Sequence, residues 1–511
     1  MKKYYKNNKR IFFILLIYEI LVLFACNKKL DIEESIIETL VSETRPIKEE
    51  EIVKRNVEEN GIISEVNSDG DIITTIKLAN DKKKLIEYDA YDLGEDYNVY
   101  KMIEVNLADK NSIALNFKNQ IEFDSDDLII KDSGVYKLSG ELNGGQVKIL
   151  GDFKGKVEIV LDNASIKTNK NFAIYSPNDT PVLIRLANGS DNYIGTNDKA
   201  NTLLQYAIYA NNTLSFTGSG SLFIDEGFLN AIGSADVLTF ISGNYSLFGS
   251  ASAISSSSCV IIRNGIYNLL TGDFAIVSLN DVSGYVYIEN GEFDIISKGC
   301  GIVATNEIIL ADGKIEIESE KTAVKSKSID VLSGEFYIKT MEDAIIAVDE
   351  KKNISEAQED TYIRFTGGSA NINSWFDGLH SYGDLYLEGG NIYISGPTRH
   401  RNYIIKYNGK IVLNGSDVIA LGASTDIQDL GDGINQNYII IYYKERFARQ
   451  KGSAYQVRDV ADNILMSFTP EKDYRVAIIT SNKFKIGDTY SLISKDQEYI
   501  ITLLDKITII K

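Results

Sequence analysis

The sequence predicts an all-β protein whose main domain is a right-handed, single-stranded parallel β-helix with a small N-terminal β cap and a C-terminal β cap. Three observations carry this. A Gly-x-apolar-x-apolar unit recurs with a period near 22 residues. A small residue followed by an aliphatic one recurs in phase with it. The chain is also rich in turn and strand formers, with 39 Gly and 30 Tyr against 5 Pro among 511 residues.

The glycine unit appears first as Gly134-Val-Tyr136-Lys-Leu138, Gly145-Gln-Val147-Lys-Ile149 and Gly155-Lys-Val157-Glu-Ile159. It continues through Gly220, Gly243, Gly265, Gly291, Gly313, Gly334, Gly368 and Gly390, at spacings of 23, 22, 26, 22, 21, 34 and 22. Alternation of period two means strands with one buried face. A fixed period near 22 means one repeated unit too short to include a crossover helix. Each coil therefore pairs in parallel with the next, at about 4.8 Å per coil. A β-propeller repeat runs about 40 residues, nearly twice this period. Glycine at a fixed phase supplies a turn or bulge that other residues resist.

The second signature runs Ala207-Ile208, Ala231-Ile232, Ala253-Ile254, Ala275-Ile276, Gly301-Ile302, Ala323-Val324, Ala344-Ile345 and Gly378-Leu379. These small residues are expected to mark a corner where the coil narrows. The single 34-residue interval holds the polar run from Asp349 to Asp360, which reads as a loop inserted into one coil.

The domain reading follows. Residues 1–25 carry Lys2, Lys3, Lys6, Lys9 and Arg10 and then an apolar run from Ile11 to Phe24, interrupted by Glu19. That run is too short for a comfortable span and reads as a signal peptide. It ends in Leu23-Phe24-Ala25-Cys26, which resembles the lipobox of bacterial lipoproteins. The resemblance implies cleavage before Cys26, a lipid on its sulfur, and an exported chain anchored at the bacterial cell membrane or surface. Residues 26–60, rich in Glu and Lys, read as a flexible tether. Residues 61–120 read as the N-terminal β cap, 121–425 as the parallel β-helix, and 426–511 as the C-terminal β cap.

The formal net charge of −19 disfavours nucleic acid and anionic lipid as direct partners. The membrane enters only through the lipid anchor, and a monomer is expected. Cys259 and Cys300 are open to a bridge or to two free thiols. No zinc spacing, phosphate-binding glycine loop, nucleophile elbow or catalytic triad pattern is visible.

Gly134 to Val147, Asp377-Gly-Leu-His-Ser-Tyr-Gly-Asp-Leu-Tyr-Leu-Glu-Gly-Gly-Asn-Ile-Tyr-Ile394, Thr469-Pro-Glu-Lys-Asp-Tyr474 and Gly487-Asp-Thr-Tyr490 carry a resemblance. Over roughly residues 100 to 500 the chain resembles the bacterial carbohydrate-binding domain-containing β-helix proteins, whose fold is similar to that of pectate lyases. The resemblance implies binding of acidic plant-type polysaccharide such as polygalacturonate, and of cellulose, with calcium held at coil turns. That family repeats an acidic Asp-Gly-Ile turn. Here two matching turns keep the acid: Glu342-Asp343-Ala344-Ile345 and Phe376-Asp377-Gly378-Leu379.

Asp343 and Asp377 share a phase in adjacent coils, so their carboxylates should stack about 5 Å apart if the insertion leaves the register unshifted. Two carboxylates that close need a cation or a proton between them. Calcium would require six to eight oxygens in all. Trp375, His380 and Tyr382 flank the second turn as a candidate sugar platform, because rings stack on sugar faces while polar tips fix orientation. Arg399 and Arg401 follow and could pair bidentately with uronate carboxylates. The expected function is non-catalytic, surface-anchored binding of polysaccharide, acidic and reached through calcium. The alternatives are a polysaccharide lyase of the same fold, which would need a basic proton abstractor, and a structural or adhesive surface protein.

Overall fold

The structure is a computed structural model. It describes residues 62–510 apart from 68–69, 80–81, 95–101, 109–118, 152–154, 198–202, 400, 424–427, 429–433, 444–449 and 496. The expected signal peptide, Cys26 and the tether lie outside the described residues.

The described part is all-β save for one short helix, Ala90–Leu93, and its parallel coils stack into a solenoid of about 12 turns. A coil has three strands. Leu204–Ala210, Leu214–Gly218 and Ser221–Ile224 make one, and Phe228–Ser234, Val237–Phe240 and Asn244–Gly249 make the next. Each strand pairs in parallel with its counterpart one coil on, in unshifted register: Ile208↔Ile232, Phe216↔Phe240, Leu222↔Tyr245. Inward residues of all coils join one apolar core. Inside it, Tyr245, Tyr267 and Phe293 stack ring on ring at centroid distances of 5.1 and 4.6 Å. Such pairs add about 0.5–1.5 kcal/mol beyond the burial itself.

The phased glycines have a specific reason. Gly265, Gly291, Gly313 and Gly334 all have φ between 96° and 136°. A Cβ on Gly313 would stand 2.8 Å from the carbonyl oxygen of Gly291, and one on Gly334 would stand 2.7 Å from that of Gly313. Each glycine thus makes room for the one a coil away. Ala207, Ala231, Ala253, Ala275 and Gly301 of the second signature do not sit at corners, as expected from sequence, but inside strands of one 13-stranded sheet, while Ala323, Ala344 and Gly378 immediately precede strands of that sheet. Ala207, Ala231, Ala253 and Ala275 are all fully buried there. The register pairs the residues on either side of each alanine and passes over the alanine itself.

Residues 61–120 divide in a way the sequence did not suggest. Strand Ile103–Asn106 pairs with Gly134–Gly144 and so closes the stack, next to the hairpin Ile121–Asp124/Asp127–Ile130 that opens the predicted β-helix segment and starts the 13-stranded sheet. The antiparallel sheet of Ile62–Val66, Ile72–Lys77 and Lys83–Tyr88 is not an end cap. It lies along the flank of the middle coils. Ile76, Leu78, Ile86 and Tyr88 pack on Ile241, Cys259, Ile261, Tyr287 and Ile309, apolar residues that successive coils turn outward. Tyr88 donates to Glu289 at 2.5 Å, and Lys84 pairs with Glu307 at 3.1 Å. The adjoining short helix is tied by Tyr91, which donates to Glu158, itself held by Arg185 at 2.5 Å.

At the other end, strand Asp417–Gly422 of the last coil pairs antiparallel with Val476–Thr480, which also pairs with Tyr438–Tyr442. This covers the open edge that a parallel stack would otherwise present. A four-stranded sheet with its own core around Tyr455, Met466, Tyr474 and Leu492 completes the C-terminal part. Both described thiols are free, Cys259 beneath the N-terminal sheet and Cys300 in the 13-stranded sheet.

Candidate functional site

The 34-residue glycine interval does not disturb the stack. Strand Ile345–Ala347 pairs with Leu379–Ser381 at Ile345↔Leu379 and Ile346↔His380, so Asp343 and Asp377 fall at equivalent positions one coil apart. The inserted residues 349–360 leave the coil as an exposed loop and return in phase.

Asp343 Oδ1 accepts the backbone N–H of Asp377 at 2.8 Å, and Asp377 Oδ1 accepts that of Tyr403 at 2.6 Å. The second oxygens of both carboxylates converge on the His380 imidazole. Nδ1 lies 3.3 Å from Asp343 Oδ2 and 3.2 Å from Asp377 Oδ2. His380 comes from the outward alternation of its strand, stacks on Tyr382 at 4.4 Å between centroids, and is only 4 % exposed. Its Nε2 is buried and finds no partner among the described residues. Lys406, the residue paired with His380 on the next coil, brings its ammonium 4.0 Å from Asp377 Oδ2.

Burial pushes the Asp377 carboxyl up to about 6, and the neighbouring charge of Asp343 adds to the rise. The Tyr403 N–H, His380 and Lys406 oppose it. Burial first, then the Asp343 and Asp377 charges, raise the Tyr382 phenol. The two aspartates are thus a coupled pair held by backbone N–H groups and an imidazole.

Asp343, Asp377 and His380 each offer one ligand atom, and these atoms all lie within 4.8 Å of one another. That convergence fits a divalent cation. The donor chemistry fits calcium poorly: two carboxylate oxygens and a nitrogen fall well short of the six to eight oxygens calcium takes. An imidazole among carboxylates suits a transition-type ion better.

The expected sugar-binding residues separate into two groups. Trp375 is 46 % exposed and Phe376, beside it, 38 % exposed, on the turn that leads into Asp377. The Lys472 ammonium, from the C-terminal part, lies 5.6 Å from the Trp375 ring centroid. That ammonium donates to the carbonyls of Ser374, Ser395 and Gly396, and burial pushes it down to about 8. His380 and Tyr382 form the second group, inside the acidic cluster. Arg399 and Arg401 are exposed on the following turn, Arg401 with φ of 74°. Among the described residues no ion pair joins either of them to Asp343 or Asp377. Sequence reasoning missed Tyr403, Lys406, Phe376 and Lys472. The first two could have been found by carrying the Asp377 and His380 positions one coil further; Lys472 arrives by a long-range contact that no local pattern announces.

Three comparisons bear on this geometry. A family model described as carbohydrate-binding domain-containing protein matches residues 124–395 and 301–442, together more than half of the chain. A curated protein of Acetivibrio thermocellus with the same description is 29% identical over 117 residues, 22% of this chain and 41% of that protein. The match therefore spans less than half of that relative. A solved structure described as a polysaccharide lyase-like protein from C. thermocellum is 18% identical and covers 64% of this chain and 96% of its own, with a TM-score of 0.28. The solenoid itself is established by the strand pairing described above.

Proposed function

This chain belongs to the carbohydrate-binding domain-containing family, and from that premise we propose that it is a non-catalytic polysaccharide-binding protein held at the cell surface by a lipid on Cys26. One observation carries the location: the exposed aromatic pair Trp375 and Phe376 stands on the same turn as Asp377, beside the Asp343–His380–Asp377 cluster. Exposed rings offer stacking surface to sugar faces. Arg399 and Arg401 supply exposed cationic groups on the next turn and support an acidic polysaccharide as ligand. A divalent cation at Asp343, Asp377 and His380 would add positive charge facing uronate carboxylates. Those residues would hold it, with the Tyr403 and Asp377 N–H groups orienting the carboxylates.

The lyase alternative has one observation in its favour, the low proton affinity of Lys472 beside Trp375. Against it, that ammonium is turned onto three carbonyl oxygens rather than toward solvent.

The test is retention of the purified full chain on insoluble polysaccharides, including polygalacturonate, with and without EDTA, while release of unsaturated oligosaccharides is followed. Retention without such products, weakened in Trp375→Ala, supports the reading. Release of unsaturated products moves the function to a lyase. Failure to bind any polysaccharide moves it to adhesion or surface structure.

A further inference from the structure

The solenoid turns three faces outward, and they differ. The N-terminal sheet covers one flank of the middle coils. The outer face of the 13-stranded sheet carries a built surface far from Asp377. Along one row of that face the paired positions run Tyr175, Tyr209, Gly233, Ser255, Val277, Val303, Lys325, Ile346, His380. Seven coil steps separate Tyr209 from His380, about 34 Å at about 4.8 Å per step.

At the N-terminal end of this row four rings form a platform. Phe172 and Tyr175 stack at 4.1 Å with planes 8° apart, and Phe172 and Tyr206 lie at 6.4 Å and 6°. Tyr206 and Tyr209 lie at 4.7 Å. All four are half-buried, outside the solenoid core. The core tyrosines Tyr136, Tyr245 and Tyr267 each donate their hydroxyl to a backbone carbonyl. Among the described residues none pairs with the hydroxyls of Tyr175, Tyr206 or Tyr209. These rings therefore do not follow the packing rule of the core, and their polar edges face outward.

The platform opens into a groove. A Cβ on Gly233 would stand 2.3 Å from Tyr206 Cε1, so the Tyr206 ring lies flat across the bare backbone of the next coil. From there a depression of about 590 Å³ runs over Ser255 and Val277 toward Leu279, Asn280 and Asp281, with Tyr206 as its near wall. None of its lining residues is basic, and its one formal charge, Asp281, is paired with Lys351 at 2.8 Å. Lys148, one coil before Tyr175, is paired with Asp127 at 3.3 Å. Phe172, Tyr175 and Tyr206 lie nearly parallel and Tyr209 is tilted against them. Such rings beside small hydroxyl-bearing residues, with no basic side chain among the described groove-lining residues, match a sugar chain that presents flat apolar faces and hydroxyl edges but no carboxylate.

We propose that Phe172, Tyr175, Tyr206 and Tyr209, with the groove floored by Ser255 and Val277, form a second glycan-binding site that takes an uncharged β-linked polysaccharide. This rests on the polysaccharide-binding reading above and adds a location that the acidic cluster does not provide.

The experiment is affinity electrophoresis of the full chain in gels containing a soluble mixed-linkage β-glucan or polygalacturonate. The variants are Tyr206→Ala/Tyr209→Ala and Tyr206→Phe/Tyr209→Phe, each checked for a wild-type thermal transition. The expected result is retardation of wild type by the neutral glucan and a loss of about tenfold or more in affinity for the Ala pair. The Phe pair, which keeps the rings, retains most of the retardation. Wild-type retardation that survives the Ala pair overturns the groove while leaving polysaccharide binding intact. Retardation by polygalacturonate alone overturns the neutral-glycan assignment in the same way. Retardation by neither polymer overturns both readings. If the Ala pair fails to fold, Gly233→Leu, whose side chain must push the Tyr206 ring out of place, must abolish neutral-glucan retardation, and its failure to do so is equally fatal.

Discussion

Asp377 donates its backbone N–H to the Asp343 carboxylate at 2.8 Å across a coil boundary, although 34 residues separate the two in sequence. The loop between them is expelled and the register survives, so the acidic pair belongs to the fold rather than to the loop. His380 then bridges both carboxylates from the same coil as Asp377.

Removing His380 leaves the buried Asp377 carboxylate and the half-buried Asp343 carboxylate facing each other without their shared imidazole. His380→Ala is expected to destabilise by about 1–3 kcal/mol. Asp343→Asn in the His380→Ala background should recover part of that loss, because it removes one of the two charges. Denaturant unfolding of the single and double variants measures the coupling; additive effects would contradict the shared role.

Gly313 has φ of 112° and no room for a Cβ beneath the Gly291 carbonyl. Gly313→Ala should cost about 2 kcal/mol or more, since backbone strain and a steric shift add. Gly452, with φ of 79° but nothing within 4 Å, carries the strain alone, so Gly452→Ala should cost less. Equal losses in melting temperature would refute the stacking argument.

Arg185 and Glu158 form an ion pair with side chains only 3% and 2% exposed, and Arg185 also donates to the Gly94 carbonyl at 2.6 Å. Arg185→Met leaves Glu158 buried without its guanidinium, a change that typically costs about 3–5 kcal/mol. Because the pair ties the segment after the N-terminal sheet to the flank, limited proteolysis should cut that region before the solenoid melts. Uniform protection of residues 62–94 in the variant would contradict this anchoring.

Asp330 is fully buried, and burial pushes its carboxyl up to about 7, against a Tyr362 hydroxyl at 2.7 Å and the Arg364 guanidinium at 3.6 Å. A carboxyl with a raised folded-state pKa binds its proton more tightly in the folded protein. Its contribution is therefore greatest in acid and falls as pH rises from about 4 to about 7, by at most about 4 kcal/mol. Asp330→Asn should flatten the pH dependence of unfolding in that window relative to wild type. Parallel curves for the two proteins would refute it.

Much of the solenoid was legible because its signals are local. Glycine phase and two-residue alternation lie within each coil, and the Asp343–Asp377 pairing follows from counting coils. The flank position of residues 62–88 was not legible, because it depends on Cys259, Ile261 and Ile309 turning outward in coils far along the chain. Nor was the bridging of both aspartates by His380, which depends on where a side chain points rather than on its phase. The aromatic platform had a sequence trace. Phe172-Ala-Ile-Tyr175 and Tyr206-Ala-Ile-Tyr209 place rings on both sides of the small-aliphatic pair, where other coils have Asn230 and Gly233 or Ser252 and Ser255. Attention to the inward pair alone passes over its outward neighbours.

The most direct test of the central claim is hydrogen–deuterium exchange on the full chain with and without a saturating polygalacturonate oligosaccharide. The account predicts slowed exchange in the turn 374–377, in strand Leu379–Ser381 and in residues 401–407, with the N-terminal sheet unchanged. Exchange unaltered throughout, or slowed only on the covered flank, would contradict it.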